Sequence, residues 1–569
     1  MRKKILCVST AVALLSAGLA APASAAGPLD EFYHQTISWQ PCAEPPPPDP
    51  EDAPDGISMD PWKGHWKEMD CAEVLVPLDY ARPGNSKLRL TISRIKATDP
   101  AHRQGAVLLN PGGPGGSGLP MPLGLVKQHS KLGEQFDLIG FDPRGVERST
   151  QLKCERITEP LPDFSRPSDE ELVQFTDHAR AREAACQRAG GSMRPYFNTA
   201  NTARDMDVIR AALGEKQINY LGYSYGTYLG AVYGKLFPAN LNRSVLDSSV
   251  HPQWLWREMS EQQAIAVRSN VDHWAQWVAE RNGTFHLGTS GDQVVATVNA
   301  LSAQLDKKPV PLTRDRPEGW PGFWPKTMDR STLDLFVGQS SESRGVWDVL
   351  AEVIGELRQA ATTGAAASGD SSTAIGLLTA RRDIPELDPG VYDTVTCEAD
   401  WPSDLNTYYD DMRVFREKYP FRDGNAGGAY SAAPTPCTFR SFTPPEKPVE
   451  LAHENYPTGL VVQGDDDPAT PYAGGPAMAD VLGSALISVR DSGIHGQYGS
   501  NQCVTDRVDD YLINGVLPGS RTECPGAEAR PPVPADQATG NHTEQRHAES
   551  STTKAARAEA ALGHRSVWQ

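Results

Sequence analysis

"YLGYSYGTYLG", residues 220–230, sets a serine between two glycines with an aromatic residue on each side. The G-x-S-x-G pattern is short, and glycine fills 50 of the 569 positions, so its meaning rests on what flanks it. Upstream is "INYLG", residues 218–222, a short apolar run of strand type. Downstream is "TYLGAVYGKLF", residues 227–237, whose Leu229, Val232, Tyr233 and Leu236 make an apolar stripe at helical spacing before Pro238 stops it. Strand, sharp turn and helix in that order describe a nucleophile elbow. The serine of such a turn takes a strained backbone conformation, and Gly222 and Gly226 leave room for the adjoining strand and helix. The helix N-terminus also favours developing negative charge. Ser224 is therefore a candidate nucleophile; the bland alternative is an ordinary loop serine.

A nucleophilic serine needs two positioned N–H donors for the oxyanion it creates. One comes from the residue after it, here Tyr225. The second is expected from "LLNPGGPGGSG", residues 108–118, which follows an earlier strand and whose glycines let backbone approach a ligand; Gly113 is the expected donor. A phosphate-binding loop is the rival reading, but the P-loop lysine is missing. The serine also needs a base, and the base an acid, in the chain order serine, acid, histidine. "LVVQGDDDPATP", residues 460–471, ends a strand in Asp465, Asp466 and Asp467, and "LISVRDSGIHG", residues 486–496, ends another at His495. Both ends fall at the carboxyl edge of one sheet, where α/β proteins gather their chemistry. Taken singly, the aspartates could be a solvated turn or a weak calcium loop and the histidine a surface residue. His251 is the main rival base, but it precedes any suitable acid.

The rest of the chain frames these motifs. "LRLTISRIKA" (88–97), "GAVLLN" (105–110) and "FDLIGFD" (136–142) read as strands, the last two as continuous apolar runs of the kind buried in parallel sheets. "NTARDMDVIRAALG" (201–214) reads as a helix capped by Asn201 or Thr202 and stopped by Gly214. From His251 the texture changes to long amphipathic helices over 257–280, 292–306 and 345–361, and strand signals return only at 458–464 and 485–493. The expected fold class is α/β: a mostly parallel central sheet with an inserted helical domain, which the resemblance described below implies to be an α/β-hydrolase fold with a helical cap. The expected divisions are a first core part over 76–250, the cap over 251–445 and a second core part over 446–524.

Residues 1–25 have the basic, apolar and small-residue layout of a signal peptide, with cleavage expected after Ala25 and an apolar centre too short for a permanent anchor. Residues 26–75 are expected to form an extended segment or propeptide, since "PCAEPPPPDPEDAPDG" (41–56) is too rich in proline and acid for regular structure. Residues 525–569, with few large apolar side chains, are expected to be a disordered tail. Beyond Cys7 the chain has eight cysteines, an even number that in an exported protein favours disulfides. Their order suggests the neighbour pairs Cys42–Cys71, Cys154–Cys186, Cys397–Cys437 and Cys503–Cys524, one of 105 connectivities open to eight cysteines. No C-x-x-C pair is present, which disfavours zinc and thioredoxin chemistry. A formal charge of −18 argues against nucleic acid as a partner. No membrane span is expected after the leader.

At this point "NPGGPGGSG", "FDPRGVERST" (141–150), "GYSYGTYLG", "QGDDDPATP" and "SGIHG" together resemble the secreted tripeptidyl aminopeptidases of actinobacteria, serine peptidases of α/β-hydrolase fold related to prolyl aminopeptidases. The resemblance runs from about Cys71 to Cys524, with the five motifs in the family's order. It implies Ser224 as nucleophile, Asp467 as the acid because it directly precedes the proline of the x-D-P-x-T-P turn, and His495 as base. It further implies a helical cap and release of short peptides from free N-termini. "TVTCEADWP" (394–402) resembles the family's cysteine-containing cap motif and offers Glu398 and Asp400 as candidates to hold the substrate amine. One departure stands out: the family's "DPRGVGRS" reads "DPRGVERS", with Glu147 in place of glycine. The expected partners are peptides with a free N-terminus, the expected state is a monomer, and no metal or cofactor is expected. The alternatives are a secreted esterase or prolyl-aminopeptidase-like hydrolase on the same scaffold, and a non-catalytic peptide-binding protein.

Overall fold

The computed structural model describes residues 27–45, 62–128, 131–157, 165–315, 324–379, 389–424, 426–536 and 557. The expected signal peptide lies outside the described residues, as do 46–56 of the proline-rich stretch.

Among the described residues, ten strands form the central sheet: β1 (Gln40–Pro41), β2 (Asp70–Pro77), β3 (Lys87–Ile95), β4 (Ala106–Asn110), β5 (Asp137–Phe141), β6 (Ile218–Ser224), β7 (Leu241–Ser249), β8 (Leu460–Gly464), β9 (Ala485–Arg490) and β10 (Arg521–Pro525). Their spatial order is β1-β2-β3-β5-β4-β6-β7-β8-β9-β10. From β5 to β10 every neighbouring pair is parallel, and β1, β2 and β3 extend the sheet by antiparallel pairing. The strand residues explain the difference. All five residues of β4 are buried; Ala106 and Leu108 join the apolar cluster on one face, Val107 and Leu109 the cluster on the other. β3 instead alternates exposed and buried positions at its start, as a strand covered on one face does.

The helix expected over 201–214 runs Thr199–Ala212. Its cap is Asn198, not Asn201 or Thr202: the Asn198 side chain accepts the Asn201 N–H at 2.8 Å, while Asn201 and Thr202 lie inside the first turn. The helix after the serine is Tyr225–Leu236, and it lies so close to β6 that a Cβ on Gly230 would sit 2.2 Å from the Tyr220 ring. The three long helices expected beyond His251 are Arg257–Ala279, Gly291–Lys307 and Trp347–Thr363, joined by Arg330–Glu342 around an apolar core built on Trp274, Trp277 and Trp347. Helix Leu172–Gly190, from the stretch read as first core part, also packs into this helical layer: its Leu172 and Phe175 meet Met412, Phe415 and Ala429.

All four neighbour cysteine pairs are disulfides. Two expectations for the ends need correction where residues are described. The N-terminal segment is built into the sheet and core: it supplies β1 and most of β2, and Phe32 is buried in the main apolar cluster. Residues 525–536, read as the start of a disordered tail, complete β10 with Pro525 and then cross the helical layer. There Arg281 Nε donates to Val533 O at 2.7 Å, the Asp536 N–H donates to Glu280 O at 2.9 Å, and Gly283 N–H donates to the Asp536 carboxylate at 2.7 Å. Backbone and charged groups order this segment, which is why its low apolar content misled.

Glu147, the departure from the family pattern, has φ 35°. Left-handed backbone costs a residue with a side chain about 1–2 kcal/mol, and glycine's extra freedom in the unfolded chain offsets about 0.5–1 kcal/mol of the relief. Glu147→Gly is expected to raise stability by about 0.5–1 kcal/mol, read as a higher denaturant midpoint at unchanged slope; a midpoint at or below the parent's would mean that this turn is not strained.

Candidate active site

β6 delivers Ser224 to the carboxyl edge of the sheet with φ 56° and ψ −129°. A residue bearing a side chain reaches that region only when its surroundings over-determine it, at a cost of order 1–3 kcal/mol. The surroundings here are specific. Thr227 Oγ1 donates to Ser224 O at 2.6 Å, and Tyr220 OH donates to Gly226 O at 2.7 Å. A Cβ on Gly222 would lie 2.6 Å from Gly226 O, and one on Gly226 would lie 2.7 Å from Asn110 Oδ1. The elbow therefore closes only with glycine at both positions.

The glycine loop after β4 lies directly over this turn. A Cβ on Gly112 would be 2.6 Å from Tyr223 O and 3.0 Å from Tyr225 N. The Gly112 N–H is engaged by Asn110 Oδ1 at 3.0 Å, whereas the Gly113 N–H has no protein acceptor among the described residues. Tyr225 is the first residue of its helix, so its N–H has no intrahelical partner either. Among the described residues, neither of the two amides named from the sequence is engaged in this way by another protein group.

Asp467, at the end of β8, is fully buried. Its carboxylate accepts from Ala469 N–H at 2.9 Å, Thr470 N–H at 3.0 Å, Thr470 Oγ1 at 2.9 Å and His495 Nδ1 at 2.9 Å. His495 follows β9. Its loop is pinned by Gly496 N–H to Ser248 Oγ at 2.8 Å and by Tyr498 N–H to Asp247 at 2.7 Å, and Gly496 faces the ring of Tyr223, the residue before Ser224. Distant parts of the chain thus meet at one rim. No hydrogen bond joins Ser224 Oγ to His495 in this conformation; in hydrolytic sites without substrate this contact is commonly long and tightens on binding. Burial disfavours the imidazolium of His495, but the charge and hydrogen bond of Asp467, with Asp247 and Asp423, outweigh it and hold its pKa above the ordinary histidine value. Asp247 itself is pushed up to about 6 by burial, against the backbone N–H groups that it accepts.

The two acids suggested for the substrate amine part company. Glu398 is buried beside Tyr225: Thr199 donates to it through N–H at 2.9 Å and Oγ1 at 2.7 Å, and Thr199 Oγ1 meets Tyr225 OH at 2.9 Å. Burial pushes its pKa up to about 7. Asp400 is exposed and is not drawn into this group. The rival base His251 stacks on Trp254 at 4.1 Å, and its Nδ1 accepts the Gln253 N–H.

Sequence reasoning missed Thr470, Asp247 and Asp423. Thr470 stood in the quoted D-P-x-T-P turn, and a hydroxyl three residues after a carboxylate was the available signal. Asp247 is recognised by amides 250 residues or more away, and nothing local in "SVLDSS" announces that.

The family model of the α/β-hydrolase fold matches residues 105–498. Tripeptidyl aminopeptidase of Streptomyces lividans is 34% identical over 497 residues, covering 84% of this chain and 88% of the relative. Serine protease Hip1 of Mycobacterium tuberculosis is 29% identical over 80% of this chain and 87% of its own, and carboxylesterase B of the same species is 31% identical over 80% and 86%. These matches agree with the strand order and with the elbow: the chain belongs to the α/β-hydrolase family and, within it, to the family of the tripeptidyl aminopeptidases.

Proposed function

We propose that this protein is a secreted serine exopeptidase that releases tripeptides from the free N-termini of peptides or proteins through an acyl-enzyme intermediate. The observation that carries the proposal is a strained Ser224 at the head of a helix sharing one sheet edge with the buried Asp467–His495 pair. Asp467 holds Nδ1–H of His495, which leaves Nε2 as the base that takes the Ser224 proton as Oγ attacks a peptide carbonyl. The Gly113 and Tyr225 N–H groups hold the oxyanion, and His495 then protonates the leaving amine. Water repeats the cycle on the acyl-enzyme.

Similarity to tripeptidyl aminopeptidase supports a peptide substrate. A free N-terminus is charged below its pKa of about 7.7–8.0, and pairing it with a buried carboxylate discriminates against a blocked end. Glu398, buried next to Tyr225, is the acid of the two that fits. Four disulfides and the signal-type layout of residues 1–25 support export. No helix among the described residues is long and apolar enough to cross a membrane. The second reading, an esterase, is favoured by the similarity to carboxylesterase B.

Mass spectrometry of digests of peptides of known sequence tests the proposal. Three-residue products are expected from free N-termini and none from N-acetylated peptides. Single-residue products would move the activity to the prolyl-aminopeptidase type, and equal turnover of blocked substrates or esters would favour the esterase. Ser224→Ala is expected to lower kcat by at least about 10³-fold and to abolish labelling by a fluorophosphonate; retained turnover or labelling elsewhere removes the nucleophile assignment, and a parent that is never labelled leaves a peptide-binding protein. The pH dependence follows from the direction of the His495 shift. The neutral ring is the base, and the fold favours the charged ring, so kcat/KM should fall as pH drops through a midpoint above about 6.5. A midpoint well below that value would show that His495 does not supply the essential base.

A further inference from the structure

The helical layer does more than cover the sheet edge. Arg344 is fully buried between helices Arg330–Glu342 and Trp347–Thr363, at the start of the short turn Arg344–Val346. Its guanidinium donates through Nη2 to Asp466, through Nε to Asp491 at 3.2 Å, and through Nη1 to Asn270 Oδ1 at 2.7 Å and Glu342 O at 3.0 Å. Asp466 is the residue before Asp467, and Asp491 lies four residues before His495. Asn270, from helix Arg257–Ala279, closes the same group by donating to Asp466 O at 2.8 Å. Gly493, two residues before His495, packs flush on the cluster: a Cβ there would lie 2.4 Å from Glu342 O and 2.8 Å from Arg344 Nη1. The strap after β10 joins in, with Glu528 accepting the Arg344 N–H at 2.7 Å and Arg530 pairing with Asp491 at 2.7 Å.

We infer that Arg344 is a positioning residue, one that ties the helical layer to both loops carrying the acid and the base of the proposed triad, on whose reading this inference rests. The geometry requires arginine. A planar fork with five donors in fixed directions reaches two carboxylates, an amide oxygen and a carbonyl at once, and a lysine ammonium on the same stem does not. The two loops also bond directly, with Asp465 accepting the Asp491 and Ser492 N–H groups at 3.0 Å and the Asp466 N–H donating to Ser492 O at 3.1 Å; the guanidinium adds a tie from the helical layer to the Asp466 and Asp491 carboxylates on either side of that junction. Burial opposes ionisation of Asp466, yet the hydrogen bond from His273 and the charge of Arg344 keep its carboxyl below the usual range.

The test compares Arg344→Lys and Asp491→Asn with the parent in kcat and KM on tri-alanine p-nitroanilide, in the rate of fluorophosphonate labelling of Ser224, and in melting temperature. A displacement of about 1 Å in such a site lowers rate on the order of 10²-fold, so folded Arg344→Lys is expected to lose about 10- to 100-fold in kcat, with KM within about twofold and labelling slowed in parallel. A folded Arg344→Lys with parental kcat, or one whose loss lies wholly in KM, overturns the inference. Should Arg344→Lys fail to fold, Asp491→Asn decides. Asparagine suits the φ of 54° at this position, and the side chain is 46% exposed, so the loop should survive the change. A several-fold fall in kcat at constant KM supports the inference, and parental kcat overturns it. Failure of the functional reading looks different: the parent itself then neither turns over the substrate nor is labelled at Ser224.

Discussion

The structure depends first on holding Ser224 at φ 56° where β6 becomes a helix. Nothing about an isolated serine favours that conformation, so its neighbours must impose it. They do so by proximity: Gly222, Gly226 and Gly112 allow three backbone segments to meet where any Cβ would fall within 3 Å of another atom. The same crowding brings the glycine loop after β4 against the serine and the start of its helix. The strain at the serine and the close approach of these segments are thus one geometric fact rather than two.

Around that point the electrostatics are arranged by burial. Asp467, Asp247 and Asp423 all act on His495, against a desolvation that by itself favours the neutral ring. The acids differ in task because they differ in partners. Asp467 faces the imidazole directly, while Asp247 accepts the backbone amides of Gln497 and Tyr498 and so fixes the path of the histidine loop. Glu398 sits on the other side, linked through Thr199 to Tyr225.

The helical layer and the segment beyond β10 belong to the same arrangement. Arg344 draws Asp466 and Asp491 toward the helices, and residues 525–536 cross from the sheet edge to the far end of helix Arg257–Ala279. With Leu172–Gly190 packed against helix Leu405–Lys418, the layer is assembled from stretches on both sides of the elbow in sequence. Cover and catalytic rim therefore share buried charges instead of meeting across a smooth apolar boundary.

Much of this was readable in the chain. The apolar runs of β4, β5, β6 and β8 and the helix stripe after Ser224 are written within short windows, because strand and helix periodicity and turn chemistry act over a few residues; the disulfides join cysteines that are neighbours in chain order, 21 to 40 residues apart. The cap of helix Thr199–Ala212 was misplaced by three or four residues, since several polar side chains there could serve and only the local backbone selects Asn198. The ordering of 525–536 and the separation of Glu398 from Asp400 could not be read at all. By itself the sequence determined most of the elements and which residues are candidates for the chemistry; tertiary structure alone decided which of the acids are buried, which amides are engaged, and that Arg344 reaches across 122 and 147 residues to Asp466 and Asp491. The reason is physical: periodicity and turns are set by neighbours along the chain, whereas desolvation and hydrogen-bond matching are set by neighbours in space.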